Sequence, residues 1–310
     1  MNLAHAAMNL HRLRVFLAVV EHGGVSRAAQ ALCLTQSAVS KALKQLEHQL
    51  GLPLLERSPL DGKSLRGVQL TGHGEALHQH ARVIFALEQA ASDDMADRAQ
   101  IKAGALRLGA STTIGGYWLP RWVARYKTLH PAIDVELRIG NTCDIAQALL
   151  DYRLDIGWVE GQVSETGIQA VPWREEPLVL VCGSQHPLAG TATVTAAMLT
   201  SCLWLTREAG SGTGQMIEAW LAQQSLLPER QLRMGSNEAI AQAVAAGDGV
   251  SLLPRVVVAD LLQLQRVHVV AWPSSSASSL QRSLYQLTLA HRPPSPALRA
   301  FLALLDSVAL

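Results

Sequence analysis

Residues 24 to 50 combine short polar, cationic and apolar side chains at spacings that suit contact with DNA. If a helix begins near Thr35, then four apolar residues recur on one face and would be buried together: Val39, Leu43, Leu46 and Leu50. The opposite face then carries short donors followed by lysines, namely Gln36, Ser37, Ser40, Lys41 and Lys44. Short side chains let the backbone approach base edges in the major groove, and lysines reach phosphates. With the short helical segment before it, this pattern predicts a helix-turn-helix and its recognition helix.

The side-chain types predict two classes of contact with DNA. Four residues are expected to face base edges: Gln36, Ser37, Ser40 and Lys41. Phosphate contacts are expected from Thr35, Lys44, Arg57 and Arg66. The last two lie on a predicted two-stranded wing within residues 52–70, which we expect to enter the minor groove. Ser26 and Arg27 complete the predicted DNA-binding set, with Ser26 as the expected N-cap of the second helix and Thr35 as that of the third.

A second group of polar residues lies at four junctions where an apolar strand is followed by a helical pattern. Small hydroxyl and amide side chains occupy these junctions: Ser111, Thr112, Thr113, Asn141, Thr142, Ser211, Thr213, Ser236 and Asn237. In α/β domains, ligands lie at the carboxyl ends of parallel strands, where helix N-termini present unpaired N–H groups and partial positive charge. Arg207 precedes the glycine-rich junction, and Glu208 is placed to orient it or to accept from a protonated ligand. The group predicts a site for a small anion, although each member taken singly is also an ordinary helix N-cap.

The elements that position these two groups follow from the periodicity of apolar residues. Residues 10–22 predict a first helix, and residues 71–98 predict one long helix. The long helix has an apolar stripe that would pair with a second copy: Leu77, Ala81, Ile84, Leu87 and Ala91. Beyond residue 102, short apolar strands alternate with helices, which indicates an α/β domain with mostly parallel sheets.

The predicted fold class is therefore α/β with an all-α winged helix-turn-helix at the N-terminus. We expect a DNA-binding domain over residues 1–70, a linker or dimerisation helix over 71–102 and an effector-binding domain over 103–310. A length of about 200 residues suggests that the last of these divides into two lobes. Lobe I would comprise about 103–175 and 270–310, and lobe II about 176–269.

Composition places this chain of 310 residues, 49% hydrophobic and 16% charged, among globular proteins. Residues 1–70 carry eight Lys/Arg against four Asp/Glu, whereas the remainder carries eighteen against twenty-one, so positive charge is concentrated where DNA contact is predicted. No apolar run reaches membrane-spanning length and no cleavage site follows residues 15–20, so we expect a cytoplasmic protein with no membrane partner. The four cysteines have neither close pairing nor metal-ligand spacing, which is typical of a reducing compartment.

Several motifs in the first 75 residues are together highly specific to one family. They are Ala28-Ala29, Leu34-Thr35-Gln36-Ser37-Ala38-Val39-Ser40, Leu46-Glu47, Leu50-Gly51, Leu54-Leu55-Glu56-Arg57 and Leu70-Thr71-Gly72-His73-Gly74. With these motifs and its order of elements, the chain resembles the LysR-type transcriptional regulators over essentially its full length. Two departures are Leu55 in place of the usual Phe and a longer wing.

The resemblance implies a periplasmic-binding-protein-like effector domain in a homotetramer that binds promoter DNA under control of a small effector. It adds RNA polymerase as a candidate partner. Residues 112–120 and 206–213 look like the branch of the family that governs carbon fixation and sulfur assimilation. Effectors in that branch are often small oxyanions or phosphorylated metabolites, which agrees with the anion site predicted from the residues.

Other functions are less consistent with the sequence. A solute-binding protein would share the α/β architecture but would not carry a helix-turn-helix. An enzyme is not indicated, because residues 210–214 fit neither a phosphate-binding loop, nor a dinucleotide fingerprint, nor a Gly-x-Ser-x-Gly elbow. No cofactor and no metal are expected. A thiol redox sensor of the same architecture stays open as an alternative, but Cys182 and Cys202 lie in apolar strands and we expect both, like Cys33, to be buried.

Overall fold

The computed structural model describes residues 8–56, 69–98, 104–161, 163–247, 249–272, 280–290 and 292–307. The predicted wing residues Arg57 and Arg66 lie outside these ranges. Contacts divide the chain into two compact units, Met1–Ser92 and Asp93–Leu310. In the described part of the chain, no helix combines the length and apolarity needed to cross a membrane.

The first unit is mostly helical in its described residues, with one antiparallel bridge between Leu55 and Leu70. Its helices are α1 (Leu10–Glu21), α2 (Val25–Ala31), α3 (Gln36–Leu50) and the first part of α4 (Gly72–Arg98). Thr35 caps α3 as expected, because its Oγ1 accepts a hydrogen bond of 3.2 Å from the Ala38 N–H. Ser26 does not cap α2: the helix already begins at Val25, and Gly24 takes the N-cap position without a side-chain hydrogen bond. The prediction that Ser26 is an N-cap was therefore wrong.

One apolar core joins α1, α3 and α4. Phe16 and Leu46 are fully buried and pack in one cluster with Leu77 and Ala81 of α4. The first part of the α4 stripe is thus used within this unit, whereas Leu87 further along the helix is exposed.

Cys33 lies in the turn between α2 and α3. It is exposed and has a positive φ of 54°, so the expectation that it belongs to the core was wrong. The physical reason is the tight turn, which needs a left-handed residue at this position and leaves it at the surface.

The second unit alternates strands and helices. Its strands are β1 (Gly104–Ser111), β2 (Ile133–Gly140), β3 (Ile156–Glu160), β4 (Ile168–Gly183), β5 (Leu203–Arg207), β6 (Arg230–Met234), β7 (Val250–Pro254), β8 (Val267–Val269) and β9 (Gln281–Leu289). Its helices are α5 (Pro120–Leu129), α6 (Thr142–Leu150), α7 (Ala196–Ser201), α8 (Gly212–Gln223), α9 (Asn237–Ala245), α10 (Arg255–Gln263) and α11 (Pro296–Asp306). A π-helical turn, Ile114–Trp118, follows β1.

The strands run in the order β2-β1-β3-β9-β4-β7-β5-β6, with β8 paired to β4. The first half of β4 pairs with β9 and the second half with β7, so β4 crosses from lobe I, which contains β1 to β3, to lobe II, which contains β5 to β8. Among the described strands, four pairings are parallel and four antiparallel. The expectation of mostly parallel sheets was therefore wrong. Every antiparallel pairing involves β4 or β9, the strands that link the lobes.

The topology places the four predicted junctions at strand ends. The strands β1, β2, β5 and β6 end at Ser111, Gly140, Arg207 and Met234, and each is followed within a few residues by a helical segment. Each of these strands pairs in parallel with a neighbour in its own lobe, so the helix N-termini of that lobe face one edge of its sheet.

Candidate functional site

The surface of α3 is divided as the sequence predicted. Val39, Leu43 and Leu46 are buried on one side of the helix. Leu50, which was also predicted to be buried, packs against the same core but is only half-buried, because it is the last residue of the helix. On the other side, Gln36, Ser37, Lys41 and Lys44 are exposed and Ser40 is half-buried. The polar side chains proposed to contact DNA are therefore available to a partner without any rearrangement of the core.

Four of these side chains line an open groove on the first unit, with a volume of about 960 Å³, and Gln36 lies outside its lining. The lining consists of Asn9, Arg12, Ser37, Ser40, Lys41, Lys44, Gln45, His48 and Gln49. Arg12 was not among the predicted DNA-binding residues. Its Nη1 donates to the Gln49 Oε1 at 3.3 Å, which joins the first turn of α1 to the end of α3. A cation in the first turn of a helix opposes the helix dipole, and this was the signal in the sequence that could have identified it.

Arg27 and Thr35 are already engaged within the unit. The Arg27 Nη2 donates to the Gly23 carbonyl at 2.6 Å, across the end of α1. The Thr35 Oγ1 caps α3. Ser26 is exposed on α2. Through these hydrogen bonds, Arg27 and Thr35 help to orient the helix-turn-helix. Both side chains are also exposed to solvent.

Residues from both lobes meet at the Arg207 guanidinium, which is 3% exposed. Its Nε and Nη2 donate to the two carboxylate oxygens of Glu208 at 2.7 and 2.8 Å, as expected for an orienting carboxylate. Its Nη1 donates to the Thr112 Oγ1 of lobe I at 3.1 Å. Burial alone would raise the pKa of Glu208, but hydrogen bonds from Arg207 and Asn141 outweigh burial and lower it. The Glu208 carboxylate is therefore ionised at neutral pH.

A second contact between lobes is made by the side chain of Asn237 at the start of α9. Its Nδ2 donates to the Thr113 Oγ1 of lobe I at 2.9 Å and lies 3.4 Å from the Thr213 Oγ1 on α8. All three side chains are fully buried. The structure therefore brings members of three of the four predicted junctions together at this point.

A third contact between the lobes joins the end of β3 to the start of α8 through Thr142. The Thr142 Oγ1 donates to the Glu160 carbonyl at 3.1 Å and accepts from the Gly212 N–H at 3.3 Å. A Cβ built on Gly212 would lie 2.1 Å from the Glu160 carbonyl oxygen, so only glycine permits this approach. The Thr142 hydroxyl thus links the two lobes, since it donates one hydrogen bond and accepts another.

Three predicted residues act as helix N-caps. The side chains of Asn141, Ser211 and Ser236 accept from backbone N–H groups of α6, α8 and α9 at 2.9, 3.3 and 3.1 Å. Ser111 is buried at the end of β1, and its Oγ has no hydrogen-bond partner among the described residues.

The sequence did not predict a cluster of buried charges formed by Glu160, Glu176 and Arg282. This cluster lies where the two lobes meet, at the base of what we call the cleft. The Arg282 Nε donates to the Glu176 Oε2 at 2.7 Å, and its Nη2 lies 3.4 Å from the Glu160 Oε1. Its Nη1 donates to the Thr213 Oγ1 at 2.5 Å. The indole Nε1 of Trp118 donates to the second Glu176 oxygen at 2.8 Å. Glu160 ends the otherwise apolar strand β3, and this charge was the available signal.

The cysteines of lobe II differ from those of a thiol sensor. Cys182 is buried, and burial raises the pKa of its thiol to about 11. Cys202 is only half-buried, so the expectation that it is buried was wrong; it lies immediately before β5 and not within it. Partial burial still raises the pKa of its thiol, against a smaller opposite effect of Arg230. Both thiols are protonated at neutral pH, whereas redox sensing requires a reactive thiolate.

Comparison with protein families covers both units. The family described as "Bacterial regulatory helix-turn-helix protein, lysR family" matches residues 10–75. The family described as "LysR substrate binding domain" matches residues 99–309. The resemblance inferred from the motifs is confirmed.

Two relatives illustrate the sequence likeness. The uncharacterized HTH-type transcriptional regulator YeiE of Escherichia coli K12 is 38% identical over 299 residues, which is 96% of this chain and 97% of that protein. The RuBisCO operon transcriptional regulator of Allochromatium vinosum is 31% identical over 246 residues, 79% of each chain. The similarity to the branch that governs carbon fixation is thereby confirmed.

Two solved structures illustrate the likeness of fold. A full-length OxyR variant from Pseudomonas aeruginosa, at 24% identity, covers 98% of this chain and 95% of its own with a TM-score of 0.72. The regulatory domain of CcmR from Synechocystis PCC6803, in complex with 2-PG, is 27% identical. It covers 66% of this chain and 96% of its own with a TM-score of 0.59.

Proposed function

This chain belongs to the LysR family of bacterial transcriptional regulators, and from that premise we propose that its promoter binding is governed by a small anion held between lobes I and II. DNA binding and an effector-binding domain come with the family, whose members are regulators and not enzymes. The chemistry of the effector, its site and the residues that hold it are the proposal.

The observation that carries the proposal is the hydrogen bonding of three hydroxyl groups between the lobes, those of Thr112, Thr113 and Thr213. Each oxygen accepts a hydrogen bond from a nitrogen donor: Thr112 from Arg207, Thr113 from Asn237, and Thr213 from both Arg282 and Asn237. Their hydroxyl hydrogens are therefore left to donate to a further group. Several donors near neighbouring helix N-termini suit an anion.

The anion would be held by these neutral donors and helix ends, because both buried guanidinium groups of the cleft already have carboxylate partners. Arg207 is paired with Glu208, and Arg282 with Glu176. In this arrangement Arg207 acts mainly by orienting Thr112 across the lobe interface. The related CcmR domain was solved with 2-PG, which supports a compact ligand of this kind.

The response to the effector follows from closure of the lobes. An anion that bonds hydroxyls of both lobes binds the closed state more tightly than the open one, so it shifts the equilibrium between them. We assign DNA binding to residues 1–70, the linker to 71–102 and effector binding to 103–310. In the proposal the regulator is a cytoplasmic homotetramer, contacts RNA polymerase at the promoter, and passes lobe closure to the DNA through the angle between subunits.

A thermal-shift measurement on the full chain tests the anion site, in buffer free of sulfate and phosphate. Small anions and phosphorylated metabolites are added singly, because a ligand that binds the folded state must raise its Tm. We expect at least one of them to do so, and Arg207→Ala to lose that shift while keeping its affinity for promoter DNA. Arg233→Ala, an exposed arginine on β6, is the matched control and should respond as the unaltered chain does. Loss of DNA binding in Arg207→Ala, or an unchanged shift, would contradict the site.

The DNA-binding surface makes a separate prediction about two residues of α3. Gln36→Ala is expected to relax sequence preference, because an exposed amide that faces base edges carries discrimination of about 1–3 kcal/mol. Lys44→Ala is expected to weaken binding to all sequences similarly and to reduce the salt slope by about one unit. Fluorescence anisotropy with cognate and scrambled duplexes at several salt concentrations measures both effects. Gln169→Ala, at an exposed position of β4, is the control. Full site preference in Gln36→Ala would disprove its assignment.

A further inference from the structure

The cleft also contains buried oxygen atoms that can only accept hydrogen bonds. The Oδ1 of Asn237 and the Oε1 of Glu160 are both inaccessible to solvent and, among the described residues, have no hydrogen-bond partner. The Glu160 Oε1 has only a long ion-pair contact of 3.4 Å to Arg282. An acceptor buried without a donor loses its hydrogen bonds to water and gains none in return, so a ligand that brings a donor relieves that cost.

Both acceptors belong to the groups that bracket the Thr213 hydroxyl. Asn237 approaches Thr213 through its Nδ2, and Arg282, which lies against Glu160, approaches it through Nη1. The free hydrogen of Thr213 and the two unpaired oxygens therefore lie in one connected group. A ligand that bonds Thr213 is placed to meet these acceptors as well.

The charges around the cleft also favour a ligand that donates a hydrogen bond. Two buried arginines, Arg207 and Arg282, lie with three carboxylates, those of Glu160, Glu176 and Glu208. With all five ionised, one negative charge is left over. A fully deprotonated dianion has lone pairs but no hydrogen to donate. It would be repelled both by this negative charge and by the acceptor atoms, and the repulsion is strong in a buried site.

From these observations, and resting on the proposed anion site, we infer that the effector is an anion that also donates a hydrogen bond: a protonated oxyanion or a hydroxy acid. Acceptor-only anions such as sulfate are excluded by the same contacts. The cleft hydroxyls hold the charged end, and Asn237 and Glu160 accept from the O–H. The unpaired acceptors, and not the size of the site, thus determine which anions bind.

Two pairs of probes that differ in a donor test the inference on the full chain: inorganic phosphate against sulfate, and glycolate against acetate. At pH 7 we expect phosphate to bind at least tenfold more tightly than sulfate, and glycolate more tightly than acetate, by calorimetry or thermal shift. Glu160→Gln turns an acceptor-only group into one that also donates, so it should reduce the ratio of phosphate to sulfate affinity at least fivefold. Glu160→Gln should also reduce the ratio of glycolate to acetate affinity, in which any general gain from removing a negative charge cancels because both probes are monoanions. Glu165→Gln, at an exposed position after the same strand, should leave both ratios unchanged.

The outcomes separate this inference from the proposed function. Sulfate that binds as tightly as phosphate, as would occur if ordered water alone satisfied the acceptors, overturns the donor requirement and leaves the anion site standing. An unchanged ratio in Glu160→Gln overturns the role of Glu160. Failure of all four probes and of the phosphorylated metabolites to bind overturns the anion site and the inference together.

Discussion

Replacing Arg282 with methionine is expected to destabilise the second unit by about 3–5 kcal/mol, because it leaves two buried carboxylates without their counter-charge. Arg282 is 1% exposed and bonds Glu176 through Nε and Nη2. Glu160 lies on its other side. Neither carboxylate can recover its hydration without opening the base of the cleft, so the cost of burial is not relieved.

The measurement is a thermal scan of the full chain. For a unit of this size a loss of 1 kcal/mol lowers Tm by about 2–4 °C, so we expect a fall of about 6–20 °C in the transition of the second unit. Arg153→Met is the matched control, since it removes an arginine from an exposed ion pair with Asp151. Exposed pairs contribute about 0–1 kcal/mol, so the control should move Tm by no more than a few degrees.

A triple variant separates charge from packing. If uncompensated charge causes the loss, Arg282→Met combined with Glu160→Gln and Glu176→Gln should recover part of the lost stability, because a neutral set has no unpaired ion to bury. If the triple variant is no more stable than Arg282→Met alone, the stabilising role of Arg282 is one of packing. A Tm within about 2 °C of the unaltered chain in the single variant, less than a loss of 1 kcal/mol produces, would contradict the ion-cluster account altogether.

Gly212→Ala is expected to remove most of the Tm shift that an anion produces while leaving affinity for promoter DNA intact. The added Cβ would lie 2.1 Å from the Glu160 carbonyl oxygen and 3.0 Å from the Thr142 Oγ1. Both are lobe I atoms, at the end of β3 and the start of α6. The Glu160 carbonyl is a backbone group and cannot withdraw without moving β3, and the Thr142 hydroxyl can rotate away only by giving up its hydrogen bonds across the lobes. The start of α8 must therefore move away from lobe I, which separates Thr213 from Thr113.

The substitution does not strain the backbone, because Gly212 has no positive φ. Alanine is also a better helix former than glycine, so a loss of stability reports the blocked contact. We expect about 1–3 kcal/mol, as for other overpacked sites. Gly235→Ala is the matched control, since its Cβ would meet no atom within 4 Å. A normal anion-induced shift in Gly212→Ala would show that this contact between the lobes is not needed for binding.

Local patterns were enough to predict the helix-turn-helix and most strands. The polar face of α3 was predicted because helical periodicity separates buried from exposed positions within one element. The first half of β4 was not predicted as a strand. Pro172, Glu175 and Pro177 argue against a strand when considered alone, and a strand forms there because β9, more than a hundred residues later, pairs with that segment along its length.

That same pairing explains why the charge cluster of Glu160, Glu176 and Arg282 was missed. The register of β4 and β9 sets Glu176 directly opposite Arg282, so two charges far apart in the chain neutralise each other inside the cleft. Arg207 was predicted as the anion-binding cation, yet its charge is balanced by the neighbouring Glu208. Spacing in a sequence shows which side chains lie at strand ends, but it does not show which of them are already paired.

The sequence by itself determined the family, the position of the recognition helix and the four strand-to-helix junctions, because these depend on neighbours within a few residues. Only the tertiary structure decided which junction residues cap helices, which bridge the lobes and which polar atoms stay unpaired. These properties depend on burial and on partners brought together from distant parts of the chain. Hydrogen bonds and charges are satisfied in three dimensions, so the specificity of the cleft is a property of the folded lobes.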